Sequence, residues 1–212
     1  GTGGNGVDGV QYLTFLAPAL LASAAIQSAM DEVTFPTLHG FVWQKIFFGV
    51  GATAVTGRQI ADGVFIAAQI RNVFTVFLYW AILCLVGALD AAQSWLAMPA
   101  AIFAGVSFSA LMLAISAYLQ NDEGVFAIIG RFVIAPMFMF SGTFYPLTIL
   151  PVYLQWVGWI SPLWHATEIG RYLSYDHPIS LGMLTIHFGY LFVLFIVGFH
   201  LARNRYQWRV TQ

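Results

Sequence analysis

Charge is what this sequence has least of. Of its 212 residues, 8% are Asp, Glu, Lys or Arg, where soluble domains carry about 25%. So few charges cannot cover the surface of a water-soluble globule, which leaves a membrane-embedded protein. Cysteine is nearly absent too: Cys84 stands alone, excluding an internal disulfide and arguing against a thiolate metal site. Lysine is equally scarce. A phosphate-binding loop needs a Gly-rich turn with Lys directly after it, and the one lysine, Lys45, follows Gln44 in an apolar stretch. This chain cannot be its own ATP-driven motor. A net charge of −1 gives no reason to expect a nucleic-acid partner.

Carboxylates are missing from the places where ion-coupled transport needs them. Asp31, Glu32, Asp62, Asp122 and Glu123 fall at one set of span ends. Asp8, Asp90 and Asp176 fall at the other, with Glu168 ambiguous between rim and interior. None lies in mid-span, which weighs against a proton- or sodium-coupled carrier. A channel lined by backbone or hydroxyl groups stays open as an alternative. A membrane enzyme would want paired acids or a Ser/His constellation, and none is found. The histidines have no metal-binding helical spacing except His165 and Glu168, three apart without a third ligand. A hydrogen-bonding role for His165, and buried polar faces for His187 and His200, are the simpler expectations.

What is abundant is apolar and aromatic: 59% hydrophobic residues, 17% aromatic and seven Trp, which suits two lipid–water interfaces. A crossing helix needs about 20 apolar residues. The pattern predicts five spans, at 11–30, 64–89, 95–119, 124–145 and 179–202, all helical because backbone groups in lipid must satisfy one another. The whole of 1–212 reads as one transmembrane domain. Its start, "GTGGNGVDGV", is a loop without the basic and apolar regions of a signal peptide, so the beginning of the protein is expected to be missing. With the C-terminus in the cytoplasm, seven of the eight basic residues lie on that side, as the positive-inside rule requires. Only Arg171 is left outside. In the third span Ala101, Gly105 and Ser109 recur every four positions, a spacing that permits close helix packing, within the chain or at a dimer seam.

Two regions resist the simple span pattern. The cytoplasmic stretch 38–63 is apolar but broken by glycines. Thr56 and Gln59 have capping-box spacing, and Trp43, Phe47 and Phe48 beside Lys45 suit a helix at the interface. This stretch is either a handle for a soluble partner or an ordinary interfacial connector. The second region, Phe132 to Thr167, has 36 residues without a charge but is interrupted by Pro136, Pro146, Pro151 and Pro162. Pro136 should kink the fifth span. "PVYLQWVGWI" and "PLWHATEIGRYLS" each open on a proline suited to a first helical turn, and Ser161 can cap the second. At about 1.5 Å per residue neither reaches across about 30 Å of hydrocarbon. They either dip in from outside and return, packed against protein, or lie flat as an external amphipathic hairpin. Glu168 and Arg171, three apart, can pair at the outer rim.

The segment "PMFMFSGTFYPLTILPVYLQWVGWISPLWHATEIGR" closely resembles the signature region of ABC-2-type exporter permeases. It is most similar to the branch of lipo-chitooligosaccharide (nodulation-factor) and daunorubicin-type drug exporter permeases. "DGVQYLTFLAPALLASAAIQSAM", "WQKIFFGVGATAVTGRQIADG" and "AYLQNDEGVFAIIGRFVIAP" resemble the preceding parts of the same family. The resemblance implies an all-α polytopic bundle in the bacterial cytoplasmic membrane, with six spans in the intact permease. An N-terminal helix and first span would therefore be absent here. It further implies a second permease copy, as a homodimer or related heterodimer, and an ABC ATPase subunit that binds ATP and Mg, leaving this chain without a cofactor. Lys45, Thr56, Gly57, Arg58, Gln59 and Asp62 would then couple the permease to the ATPase, with 49–63 as the coupling helix. The re-entrant pair 147–174 would form the external gate, with Pro146, Pro151, Trp156, Trp159, Pro162, Trp164, His165, Glu168 and Arg171. Phe140, Phe144 and Tyr145 would line a path for an amphiphile such as a glycolipid, lipid-linked glycan or hydrophobic drug. Interfacial anchoring is the alternative role of the Trp residues.

Overall fold

The computed structural model describes residues 9–121 and 124–212. Asp8, Asp122 and Glu123, assigned above to span ends, lie outside the described residues. All the secondary-structure elements among the described residues are helical. Among the described residues, four helices are long and apolar enough to cross a membrane: Tyr12–Trp43, Gly57–Leu85, Ala97–Tyr118 and Leu181–Val210. The protein is a polytopic helical membrane protein.

Helix α1 (Tyr12–Leu38) runs past the expected end at residue 30 and continues through a wide π-type turn, His39–Trp43. Asp31 and Glu32 end the apolar window but not the helix, because both carboxylates are occupied. Gln27 donates to Asp31 and Arg71 of the next long helix pairs with Glu32. After Lys45, in the left-handed region at φ 57°, a short helix α2 (Ile46–Gly51) follows. Helix α3 (Gly57–Leu85) begins where the Thr56–Gln59 capping box closes. It ends earlier than the expected residue 89, at Gly87 (φ 78°). There Gly87 N–H bonds to Cys84 O and Ala88 N–H to Leu83 O, the paired pattern by which a left-handed glycine terminates a helix.

A single turn, α4 (Ala91–Ser94), leads into α5 (Ala97–Tyr118). The expected fifth span, 124–145, is realised as the 16-residue helix α6 (Val125–Phe140), roughly 24 Å long. Pro136 has no N–H to offer the preceding turn. Just before it the helix widens into a π turn, Gly130–Ile134, whose Ala135 N–H bonds to Gly130 O. The end comes at Ser141 and Gly142, the latter in the left-handed region at φ 72°. After a 3-10 turn (Leu147–Ile149) come α7 (Val152–Ile160) and α8 (Pro162–Tyr175). Helix α9 (Leu181–Val210) extends two turns beyond the expected residue 202. Its arginines are why it can: Arg203 pairs with Asp62 at 2.9 Å, and Arg209 donates to the carbonyls of Ala117 and Leu119 at the end of α5. A cation there satisfies acceptors that the helix itself leaves open.

Helix α5 is the central post, packed between α1 and α9. Gly105 is what lets α1 and α5 meet, for a Cβ at that position would stand 2.8 Å from the Ala25 carbonyl and 2.5 Å from Asn72 Nδ2. Gly198 does the same for α9, against the backbone of Leu111 at 2.6 Å. Ser109 accepts from Gln69 of α3, so the small-residue stripe serves packing within the chain. Gly105→Val should lower stability by about 1–3 kcal/mol through overpacking. Thermal unfolding of the purified protein in micelles checks this, and an unchanged midpoint would refute the contact.

Candidate functional site

At the end of the bundle that carries residues 141–180, α8 is the organising element. Pro162 occupies its first turn, and Ser161 caps it by accepting from Leu163 N–H. Ser141 donates to Ser161 at 2.6 Å, which fastens the loop after α6 to this cap. Leu163, Ala166, Ile169 and Gly170 are all buried, and Gly170 sits where a Cβ would approach Pro18 of α1 to 3.0 Å. A helix buried in this way against α1, α5 and α9 is not lying flat on a surface, so the flat-hairpin alternative does not describe α8. Helix α7 differs. Only Gly158 is buried, against Leu147 and the Phe140 carbonyl. Val152, Tyr153, Trp156, Trp159 and Ile160 are exposed. Pro151 takes the cap position of α7 rather than its first turn, and Pro146 that of the 3-10 turn.

Arg171 holds this region together. It is 1% exposed, contacts Glu168 at 2.9 Å, donates to Gly142 O at 2.7 Å and lies 3.8 Å above the Phe15 ring. The pair expected at the outer rim forms, with Arg171 buried and Glu168 partly so. Glu168 also stands 3.9 Å from His177. One turn back, His165 joins α8 to α9. Its Nε2 faces the Trp159 carbonyl at 3.0 Å, and its Nδ1 faces His187 Nδ1 at 2.7 Å. A carbonyl can only accept, so His165 carries its proton on Nε2, and His187 donates from Nδ1 when both rings are neutral. Trp164 meets both imidazoles edge-on, and Tyr190 stacks on His165. His165 and Glu168 therefore face different partners and do not form a ligand pair.

Phe140, Phe144 and Tyr145 close the end of α6 rather than line a cavity. Tyr145 donates back to Met139 O, Phe144 meets Phe138 edge-on, and its carbonyl accepts from Tyr12. The cavity nearby, about 550 Å³, is lined instead by Phe132, Pro136, Trp156, Pro162 and Tyr190 together with α5 residues such as Leu111. Of these, Trp156 and Pro162 were expected at the external gate, and Pro136 only as a kink in the fifth span. The others come from three helices far apart along the chain, α5, α6 and α9, and no local pattern brings them together.

At the opposite end, 38–63 is not one loop, and 49–63 is not one helix. The short helix is α2, while Gly57, Arg58, Gln59 and Asp62 form the first turns of the long α3. Gly57, Arg58 and Asp62 face α9, with Asp62 on Arg203, Arg58 reaching Asn204 at 3.2 Å and a Cβ on Gly57 striking the backbone of Tyr206 and Gln207 at 2.6 Å; Gln59 bonds back to Thr56. Phe47 packs beneath α2 against Phe41 and Tyr206, whereas Lys45, Ile46, Phe48 and Val50 are exposed.

The residue pattern of the ABC-2 type transporter family matches residues 2–175, most of the chain. The chain belongs to the ABC-2 type transporter family. Nodulation protein J of Rhizobium leguminosarum bv. viciae is 28% identical over 208 residues, covering 94% of this chain and 77% of that protein. Its namesake in Rhizobium meliloti (strain 1021) is 27% identical, covering 94% and 76%. Inner membrane transport permease YadH of Escherichia coli K12 is 28% identical, covering 91% and 73%. No solved structure matches. Within this ABC-2 transporter, truncating Arg171 leaves the partly buried Glu168 without its cation. Arg171→Met should cost about 3–5 kcal/mol, and the Glu168→Gln/Arg171→Met double variant less than the two single losses summed. A double-mutant cycle by thermal unfolding measures both, and strict additivity would deny the pair its coupling.

Proposed function

We propose that this chain is the membrane permease subunit of an ATP-driven exporter that moves an amphiphile out of the cytoplasm or inner leaflet. The observation that carries the reading is membership of the ABC-2 family over the helices that also build the α7–α8 pair. ATP hydrolysis belongs to a separate ABC nucleotide-binding subunit with its Mg, and two permease copies enclose the path. The setting is the bacterial cytoplasmic membrane, with the α2 and Arg209 end in the cytoplasm. Helix α7 and the buried α8 then lie at the external face as a re-entrant gate, and Arg71, Arg203 and Arg205 fall on the cytoplasmic side.

Coupling to the ATPase falls to α2 and the turn after it. That segment exposes Lys45, Phe48 and Val50 at the cytoplasmic end, while Phe47 ties it to Tyr206 of α9. Because Gly57 and Arg58 also pack on α9, a push on α2 bears on α3 and α9 together. A packed contact of this kind transmits displacement because side chains at interior density cannot deform independently.

Reconstitution into vesicles with the ATPase partner tests the reading. ATP-dependent transport of amphiphiles is expected, with hydrolysis stimulated by the cargo. Flux driven by an ion gradient without ATP would replace it with a channel or carrier. Phe48→Asp with Val50→Asp should reduce cargo-stimulated hydrolysis at least about tenfold, equivalent to about 1.4 kcal/mol, while the unfolding midpoint stays unchanged. Unaltered hydrolysis in that variant would remove α2 from the coupling surface.

A further inference from the structure

A cavity of about 540 Å³ lies between α1, α2 and α3, at the end of the bundle that is cytoplasmic in the orientation above. Asp31, Phe35, His39 and Trp43 line it from α1 and the π turn that follows. They recur every four residues, a step that overshoots one α-helical turn of about 3.6. The wider π turn over His39–Trp43 takes up the overshoot, so all four keep to one wall. Such turns within helices are frequent at functional sites. Lys45, in the left-handed region at φ 57°, then redirects the chain, and Ile46 and Phe47 of α2 form a second wall.

Two carboxylates and one guanidinium belong to this lining. Arg71 of α3 pairs with Glu32. Asp31 is met by the neutral Gln27 amide, which donates to its two oxygens at 3.0 and 3.1 Å, and by no cation among the described residues. A carboxylate has about four acceptor sites, so Asp31 keeps capacity for a further donor. Phe35 and Trp43 on the same wall are about half exposed. Aromatic faces beside a carboxylate suit an ammonium group, which the faces attract through their quadrupole and the carboxylate through its charge. Tryptophan at a membrane interface commonly serves as an anchor, but an anchor has no need of an unneutralised acid in the same cavity. Phe47 separates the cavity from α9. Its ring lies 5.8 Å from that of Tyr206, and a Cβ on Gly40 would stand 2.1 Å from it. With no slack behind that ring, an occupant pressing on Ile46 and Phe47 displaces α2 as a unit.

We propose that this cavity is the cytoplasmic reception site for a cationic amphiphile, whose ammonium head sits between Asp31 and the Phe35 and Trp43 rings, and that α2 reads its occupancy. The proposal rests on the exporter reading and narrows the cargo from amphiphiles in general to those with an amine or quaternary ammonium head. A cargo that brings the missing counter-charge gains more at Asp31 than a neutral or acidic one, and selection follows from that difference. The site also gives cargo-stimulated hydrolysis a route. Its occupant touches Ile46 and Phe47, and the same short helix carries the exposed Phe48 and Val50 assigned above to the ATPase contact.

The test uses the full chain in vesicles of digalactosyldiacylglycerol, a neutral lipid without ammonium groups. The two probes are a diazirine-bearing dodecyltrimethylammonium and the matching dodecyl glucoside, with crosslinks mapped by mass spectrometry. The ammonium probe should label the 31–47 segment. Asp31→Asn should cut that labelling at least about fivefold, as loss of a charged partner does, and Trp43→Leu about threefold through the lost cation–π contact. Asp31→Glu should keep most of it, and the glucoside should be indifferent to both Asp31 variants. Should Asp31→Asn fail to fold, Trp43→Leu, at an exposed position, carries the same comparison. Equal labelling by the glucoside, or undiminished labelling in these variants, would overturn the site and leave the two aromatics as interfacial anchors. With the ATPase partner present, the ammonium probe should stimulate hydrolysis and be transported, and Asp31→Asn should depress both. Phe48→Asp with Val50→Asp should keep the labelling and lose the stimulation. If the partner abolishes labelling, the cavity belongs to the subunit contact and the cargo assignment falls. It falls likewise if excess phosphatidylethanolamine abolishes labelling while transport is unaffected, for the cavity then holds a bilayer lipid. If the wild type moves neither probe with ATP while labelling still depends on Asp31, the exporter reading fails and the ammonium site stands.

Discussion

The buried guanidinium of Arg171 is the contact on which one half of the molecule depends. Helix α8 has no neighbour in sequence that would place it inside a bundle, and α6 ends at Phe140, short of the full thickness of a membrane. The Arg171 side chain reaches both. It satisfies the Gly142 carbonyl beyond the end of α6, neutralises Glu168 on its own helix and covers the Phe15 ring of α1. Removed from water, each of these groups would carry a cost alone. Together they offset one another, as buried charges do only when paired and hydrogen-bonded. The Ser141–Ser161 bond and the His165–His187 contact then complete the attachment, the first to the loop and the second to α9.

The opposite end follows the same physics with other residues. Carbonyls at the end of α5 would be open acceptors, and Arg209 closes them from α9. The start of α3 is closed by Thr56 and Gln59, and the hydroxyl of Tyr206 is met by Thr37 of α1 at 2.6 Å. Both ends are therefore tied across helices by polar contacts, and the middle is held by close packing at Gly105 and Gly198. Helix α6 packs on the core through Met137. Left-handed glycines, Gly124 and Gly142, flank it, a π turn interrupts it, and cavities lie on either side.

Much of this was legible in the sequence. Low charge and long apolar windows determine a helical membrane protein, because lipid leaves the backbone no partner but itself. The Thr56–Gln59 spacing marks the start of α3, and Ser161 with Pro162 marks the start of α8, because capping is a local matter of a few residues. The segment around the four prolines is too long for one span, and that too is simple length arithmetic. The family is legible in the same segment.

Only the tertiary structure decided which helix ends are real and which residues meet. Asp31 and Glu32 look like a terminus until Arg71, on another helix, is seen to neutralise Glu32. Arg58 stays exposed, and its partner Asn204 is within reach only because α9 runs two turns further. Arg171 looks like a rim residue until Phe15 and Gly142 close over it. The cavity wall draws Leu111, Phe132, Trp156 and Tyr190 from four helices. Sequence carries the propensity and the length of each helix, which depend on neighbours along the chain. Burial, charge compensation and the shape of a cavity depend on neighbours in space, and those exist only once the helices have packed.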